Sequence, residues 1–140
     1  MIGTIAISAA LLLALLQALV PPVRSLERGG ESEIEVQRQV TVRDRDAWAS
    51  LWRAHAPLRP APAVDFSREM VVGVFMGTRP TAGFAVDIVG YRDSGNDVIV
   101  IYRETAPARD TITAQVIVSP YHLVVIPRRT GTVTFEKLKV

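Results

Sequence analysis

Apolar and polar positions change their rhythm three times along the chain. From Ile5 to Val20 nearly every residue is apolar, and Pro21-Pro22 then stops any helix, since proline lacks the amide donor. Residues 24–33 are polar, charged and contain Gly29-Gly30, the composition of a linker. From Ile34 the period becomes two. Ile34, Val36, Val40 and Val42 share one face with Arg38, and Glu33, Glu35, Gln37, Gln39 and Thr41 share the other, which predicts a half-buried strand. The period then lengthens. Asp44 is placed to cap a helix that runs to Ala56 and stops at Pro57. On that helix Trp48, Leu51, Trp52 and His55 fall on one face, so the helix is expected to seal one side or end of a sheet.

Beyond it, Pro57 to Ala63 is too proline-rich for a central strand. Strands are predicted at Met70–Phe75, Phe84–Tyr91, Val98–Tyr102, Thr111–Val118, Tyr121–Ile126 and Thr132–Leu138. The turn cluster Asp93-Ser94-Gly95-Asn96-Asp97 makes a hairpin of the second and third of these. The unbroken apolar run Val98–Tyr102 predicts a central strand covered on both faces. Seven strands and one helix without β-α-β alternation give an α+β fold, mainly β. The expected architecture is a small, largely antiparallel sheet or sandwich with one Trp-bearing helix, spanning residues 34–140.

Charge sharpens the reading of the N-terminus. All 16 basic and 14 acidic residues lie from Arg24 onward. The uncharged residues 1–23 therefore read as a signal peptide or, if retained, an N-terminal membrane anchor of about 20 apolar residues. The expected location is exported: periplasmic, secreted or held at the membrane by residues 1–23 alone. The net charge of +2 is carried by cations scattered singly among carboxylates, with Arg128-Arg129 the one adjacent pair. That pattern argues against a nucleic-acid partner. With no cysteine, there is no disulfide, thiolate zinc site, thiol nucleophile or acylated lipoprotein cysteine.

The remaining chemistry is thin. The two histidines, His55 and His122, have no His-Glu-x-x-His spacing, and each reads better as a packed residue than as a ligand or base. No serine sits in a nucleophile elbow. Asp93, Asp97 and Glu104 have the outer spacing of a calcium loop, but Gly95 and Val98 stand where a ligand and the turn glycine are needed. Asp65, Asp87 and Glu104 read as partners of arginine rather than paired catalytic carboxylates. No cofactor, metal site or catalytic residue is expected.

One loop stands out. In Gly77-Thr78-Arg79-Pro80-Thr81-Ala82-Gly83 the end glycines allow positive φ and Pro80 stiffens the middle. A stiff exposed loop loses little entropy on docking, so Gly77, Thr78, Arg79, Pro80, Thr81 and Gly83 are the candidate partner-binding residues. A plain connection between two strands is the competing reading. Phe84, after the loop, is placed in the core.

Several segments together resemble the C-terminal domain family named for PrcB, a subunit of a bacterial surface protease complex. They are Trp48, Leu51-Trp52, Val64-Asp65-Phe66-Ser67-Arg68-Glu69-Met70-Val71-Val72, and Gly77-x-Arg79-Pro80-Thr81-x-Gly83-Phe84. Further on come Glu104-Thr105-x-Pro107, Gln115 and Ser119-Pro120-Tyr121-His122-Leu123-Val124-Val125-Ile126-Pro127. The resemblance runs through most of residues 44–135. It implies an exported, non-catalytic domain that accompanies or stabilises a protease, with Trp48, Trp52, Phe84 and Tyr121 as core residues of the family pattern. The chain differs from lipoprotein members in having no cysteine to acylate. A looser likeness covers the loop alone: Pro80-Thr81-x-Gly83-Phe84 is similar to the Asn-Pro-Thr-Thr-Gly-Phe/Tyr loop of chagasin-like cysteine protease inhibitors, with Arg79 in place of the asparagine. The expected function is protein binding, with a secreted protease as the implied partner. A protease inhibitor and a small-ligand-binding envelope domain are the alternatives.

Overall fold

The computed structural model describes residues 23–139, so residues 1–22 of the expected export segment lie outside the described residues. Among the described residues, seven strands and one helix follow in order: β1 Arg24–Gly29, β2 Arg38–Val42, α1 Arg45–His55, β3 Glu69–Phe75, β4 Ala85–Ser94, β5 Asp97–Thr105, β6 Tyr121–Pro127 and β7 Val133–Lys137. The expected α+β, mainly β class is what the chain adopts. The strands form two sheets, β1-β6-β3-β2 and β4-β5-β7. Every pairing is antiparallel except β5 with β7, which is parallel because the chain crosses from one sheet to the other after β6.

The four-stranded sheet is the middle layer. Its central strands β3 and β6 are apolar on both faces, and their alternation sends side chains into two cores. Val71, Phe75, Tyr121, Leu123 and Val125 pack under α1, while Met70, Val72, Val74, Val124 and Ile126 pack against the second sheet. Packing of both faces into a core belongs to β3 and β6. β5 is central in its own sheet, with Val98, Val100 and Tyr102 turned to the core. On its other face Ile101 is buried and Ile99 half-buried, so the expected cover of the run Val98–Tyr102 is complete on one face and partial on the other.

The helix forms as its sequence requires. Asp44 accepts a hydrogen bond from the Ala47 amide at 2.8 Å, satisfying one of the unpaired first-turn donors. Trp48, Leu51, Trp52 and His55 are its buried residues. The proline-rich crossing closes over it by offering carbonyls: Trp48 Nε1 donates to Pro62 O at 3.0 Å and Trp52 Nε1 to Arg59 O at 2.7 Å. Both indoles are therefore buried without an orphaned donor.

Three further expectations are corrected. Residues 24–33 are not a linker, because Arg24–Gly29 pairs with β6 as an edge strand. Pairing supplies what the polar sequence lacks. A bulge between Ser25 and Glu27 interrupts the register and re-aims the strand, so that Leu26 packs on the core under α1 while the next residue, Glu27, also reaches that side. The strand predicted from Ile34 begins only at Arg38, and Val36 is 74% exposed, because residues 33–37 run instead to the Gly77 loop, where Thr78 N–H donates to Glu35 O at 2.9 Å. Thr111–Val118, rich in β-branched residues, is not a strand. It makes a single bridge, Arg79 with Val118, and no ladder forms along it.

Candidate functional site

Two places gather polar chemistry, at opposite sides of the central sheet. The first lies under α1. Glu27 accepts hydrogen bonds from Arg59 Nη1 at 2.9 Å and Nη2 at 2.5 Å, and from the Tyr121 hydroxyl. His55, wholly buried, faces it through Nε2 at 3.3 Å and meets Ser32 Oγ through Nδ1 at 2.8 Å. Because Nε2 faces a carboxylate it carries the proton, so Ser32 O–H donates to Nδ1 while Ser32 Oγ accepts from the Ile34 amide at 3.1 Å. The bonds to Arg59 outweigh burial and hold the Glu27 carboxyl down at about 2. Burial holds the His55 imidazole below its ordinary value and raises the Tyr121 phenol. Arg59 also lies over the Trp52 ring, 5.4 Å from its centroid. Ser32, His55 and Glu27 form a chain of the three residue types used in acyl transfer. Ser32, however, is 7% exposed and does not line the adjoining groove of about 750 Å³. The arrangement locks the start of the domain to α1 and to β6.

His122 does similar work between the sheets. Its Nδ1 accepts the Ile88 amide proton at 2.8 Å, and its Nε2 meets Ser25 Oγ at 2.9 Å. Burial again keeps the ring neutral. Of the carboxylates considered from sequence, Asp87 pairs with Arg28 at 2.8 Å and Arg103 at 3.3 Å.

The second place is the open end of the sandwich. On β5 the core-facing series Val98, Val100, Tyr102 continues, two residues on, to Glu104. On β7 the series Val133, Phe135 continues to Lys137. The inner faces of both strands thus turn from apolar to charged where the two sheets end. Lys137 Nζ reaches Glu104 Oε2 at 3.4 Å. Glu104 Oε1 has no hydrogen-bond partner, the one such buried side-chain oxygen among the described residues. An unsatisfied buried acceptor costs about 1–3 kcal/mol. It borders a pocket of about 690 Å³ shared with Met76, Arg79, Phe84, Leu138 and Lys139.

The Gly77–Gly83 loop forms the rim of this pocket. Gly77 has φ 75°, and a Cβ there would stand 2.7 Å from the Gln37 amide nitrogen, so the position requires glycine. Gly83 has φ 97° and packs on Pro107. Thr78 and Arg79 are tied by main-chain bonds to Glu35 and Val118, and Ala82 N–H donates to Ala114 O at 3.1 Å. Of the residues proposed from sequence, Arg79 lines the pocket together with Phe84, its guanidinium 5.9 Å from the Phe84 ring centroid. Thr81 turns back on its own chain, with Oγ1 donating to Ala82 O, and Pro80 is exposed. Phe84 is half-buried against the inter-sheet core, whereas Trp48, Trp52 and Tyr121 are each 4% exposed. The loop's other neighbour, Thr111–Val118, leaves Ile112, Val116 and Ile117 exposed, and Val36 is exposed on the loop's opposite side.

The loop and both central strands fall within one stretch that can be compared with known proteins. Residues 70–127 match the PrcB C-terminal family model. The match takes in β3 to β6, hence strands of both sheets, and the whole Gly77–Gly83 loop. It is narrower than the resemblance over residues 44–135, and Trp48, Trp52 and residues 64–69 lie outside it. No curated protein and no solved structure matches the chain significantly.

Glu104 and Lys137 are the site residues that sequence reasoning passed over. Sequence alone reads Glu104 as an arginine partner in preference to a calcium or catalytic carboxylate, and the structure gives it a lysine instead, Lys137. The signal was present in the period-two series that starts at Val98 and places residue 104 on the inner face.

Proposed function

We propose that this chain is an exported, non-catalytic protein-binding domain that serves as an accessory subunit of a protease complex. Its partner surface is the Gly77–Gly83 loop with the Thr111–Val118 segment bonded to it. The observation that carries this reading is the coincidence of the family match with an apolar edge: the matched residues include the loop and, beside it, exposed Ile112, Val116 and Ile117. Exposed apolar side chains grouped together mark interaction sites on soluble domains. The loop's main-chain bonds hold it in one shape before binding, which lowers the entropy cost of docking. The charge-free residues 1–23 support export. Among the described residues no helix is long and apolar enough to cross a membrane.

The test is affinity purification of the full chain from envelope and culture-medium fractions, with identification of what co-purifies. A protease is expected with the natural chain and is expected to be lost with Ile117→Asp and Val116→Asp together, at unchanged thermal melting. Co-purification of a protease that survives both changes would move the partner surface elsewhere. Inhibition of a papain-like protease by the chain would replace the subunit reading with the inhibitor one.

A further inference from the structure

We infer that the pocket at the end of the sandwich captures the free C-terminus of a partner polypeptide whose last residue is apolar. The inference rests on the protein-binding reading above and specifies the chemistry of one part of that contact. Three features of the pocket have to be matched by one occupant. Among the described residues its cations exceed its anions: Arg79, Lys137 and Lys139 line it with a single carboxylate, Glu104. Lys137 already neutralises Glu104 through Oε2, which leaves Arg79 and Lys139 without a carboxylate among the described residues of the pocket. Second, Glu104 Oε1 is a buried acceptor that needs a donor. Third, the remaining wall is apolar, built of Phe84 and Leu138 over a buried Met76.

A peptide terminus answers all three at once. Its α-carboxylate suits Arg79, whose planar guanidinium can hold both oxygens, and Lys139. Its last backbone N–H can donate to Glu104 Oε1. Its last side chain covers Phe84 and Leu138. An internal loop of a partner brings N–H groups and apolar side chains but no anion for the cations. An acidic side chain brings the anion but leaves the apolar wall uncovered. A volume of about 690 Å³ accepts one or two terminal residues, as expected for the end of a chain.

The experiment uses the full chain and N-terminally labelled hexapeptides in fluorescence anisotropy. The peptides end in Leu or Phe as the free acid, in the same residues as the amide, or in Lys as the free acid. Free acids ending in Leu or Phe are expected to bind, and amidation is expected to weaken binding at least tenfold. The lysine-ended acid is expected to bind at least fivefold more weakly. Arg79→Gln should weaken the acid at least tenfold while leaving the amide unchanged. Equal binding of acid and amide overturns the inference, as does competition by free leucine matching that of the unlabelled peptide, which would make an amino acid the ligand. The acid-against-amide comparison needs no variant and so does not depend on any variant folding. Co-purification of the protease by Arg79→Gln chain, with all peptides failing to bind, overturns the C-terminus inference and leaves the protein-binding reading standing.

Discussion

Glu27 and Glu104 are both carboxylates that strands turn inward, and they end in opposite states. Glu27, on the helix side of the central sheet, is met by Arg59, Tyr121 and His55. Glu104, on the other side, has one lysine at 3.4 Å and one oxygen with nothing. A buried carboxylate whose acceptors are all engaged is a piece of framework. The half-engaged one, at the mouth of a pocket, is the one on which the proposed contact rests. The difference follows from position. Glu27 lies beneath a helix whose connecting segment folds back with Arg59, whereas Glu104 stands at the end of the two sheets, where Lys137 is its one ion-pair partner among the described residues.

The largest expected effects lie on the helix side. Trp48→Ala or Trp52→Ala removes a side chain that is 4% exposed and should cost about 3–5 kcal/mol in urea unfolding. A loss below about 1 kcal/mol for both would mean that the helix is not the lid of that core. Glu27→Ala leaves the Tyr121 hydroxyl and His55 Nε2 without their acceptor and Arg59 without its partner. It should cost about 2–4 kcal/mol. Were it as mild as Glu104→Gln, the two carboxylates would cease to differ.

The pH dependence tests the same network with a smaller effect. Glu27 has a folded pKa of about 2 against an ordinary 4.5, so its contribution is complete above 4.5 and is lost as pH falls from 4.5 toward 2. Arg59 is half exposed, so solvent screening limits this contribution to about 1–2 kcal/mol. His55 and His122 also bind protons less well when folded, and burial is the first cause for each. Their protonation therefore favours the unfolded chain, and stability starts to fall as pH drops below about 6.5. Unfolding free energy measured between pH 7.5 and 3 should decline in that direction throughout. Glu27→Gln should flatten the part below 4.5, and an unchanged slope there would remove Glu27 from the account.

The pocket side should respond least. Glu104→Gln removes an incompletely paired buried charge, so stability should stay within about 1 kcal/mol or rise. Arg79→Ala should change unfolding free energy by no more than about 0.5 kcal/mol, as at ordinary surface positions. A cost near 2 kcal/mol for either variant would make the open end of the sandwich part of the framework too.

The sequence by itself determined the elements whose signals are local. Asp44 and Pro57 bracket α1, its 3.6-residue spacing selects the buried Trp48 and Trp52, and the Asp93–Asp97 turn makes the β4–β5 hairpin. β3 and β6 were legible because they are apolar throughout, and the Gly77 loop because its glycines answer to a backbone need. Only the tertiary structure decided the rest. Arg24–Gly29 has a linker's composition and becomes a strand because β6 offers an unpaired edge. Thr111–Val118 has a strand's composition and forms no ladder because only the bridge to Arg79 and one bond from Ala82 hold it, and no strand runs beside it. A strand is a pairing between distant segments, so its existence depends on a partner that no local stretch of sequence contains. For the same reason neither the satisfaction of Glu27 nor the want of a partner at Glu104 Oε1 could be read from the chain: each is decided by which residues, far apart in sequence, the two sheets bring within hydrogen-bond reach.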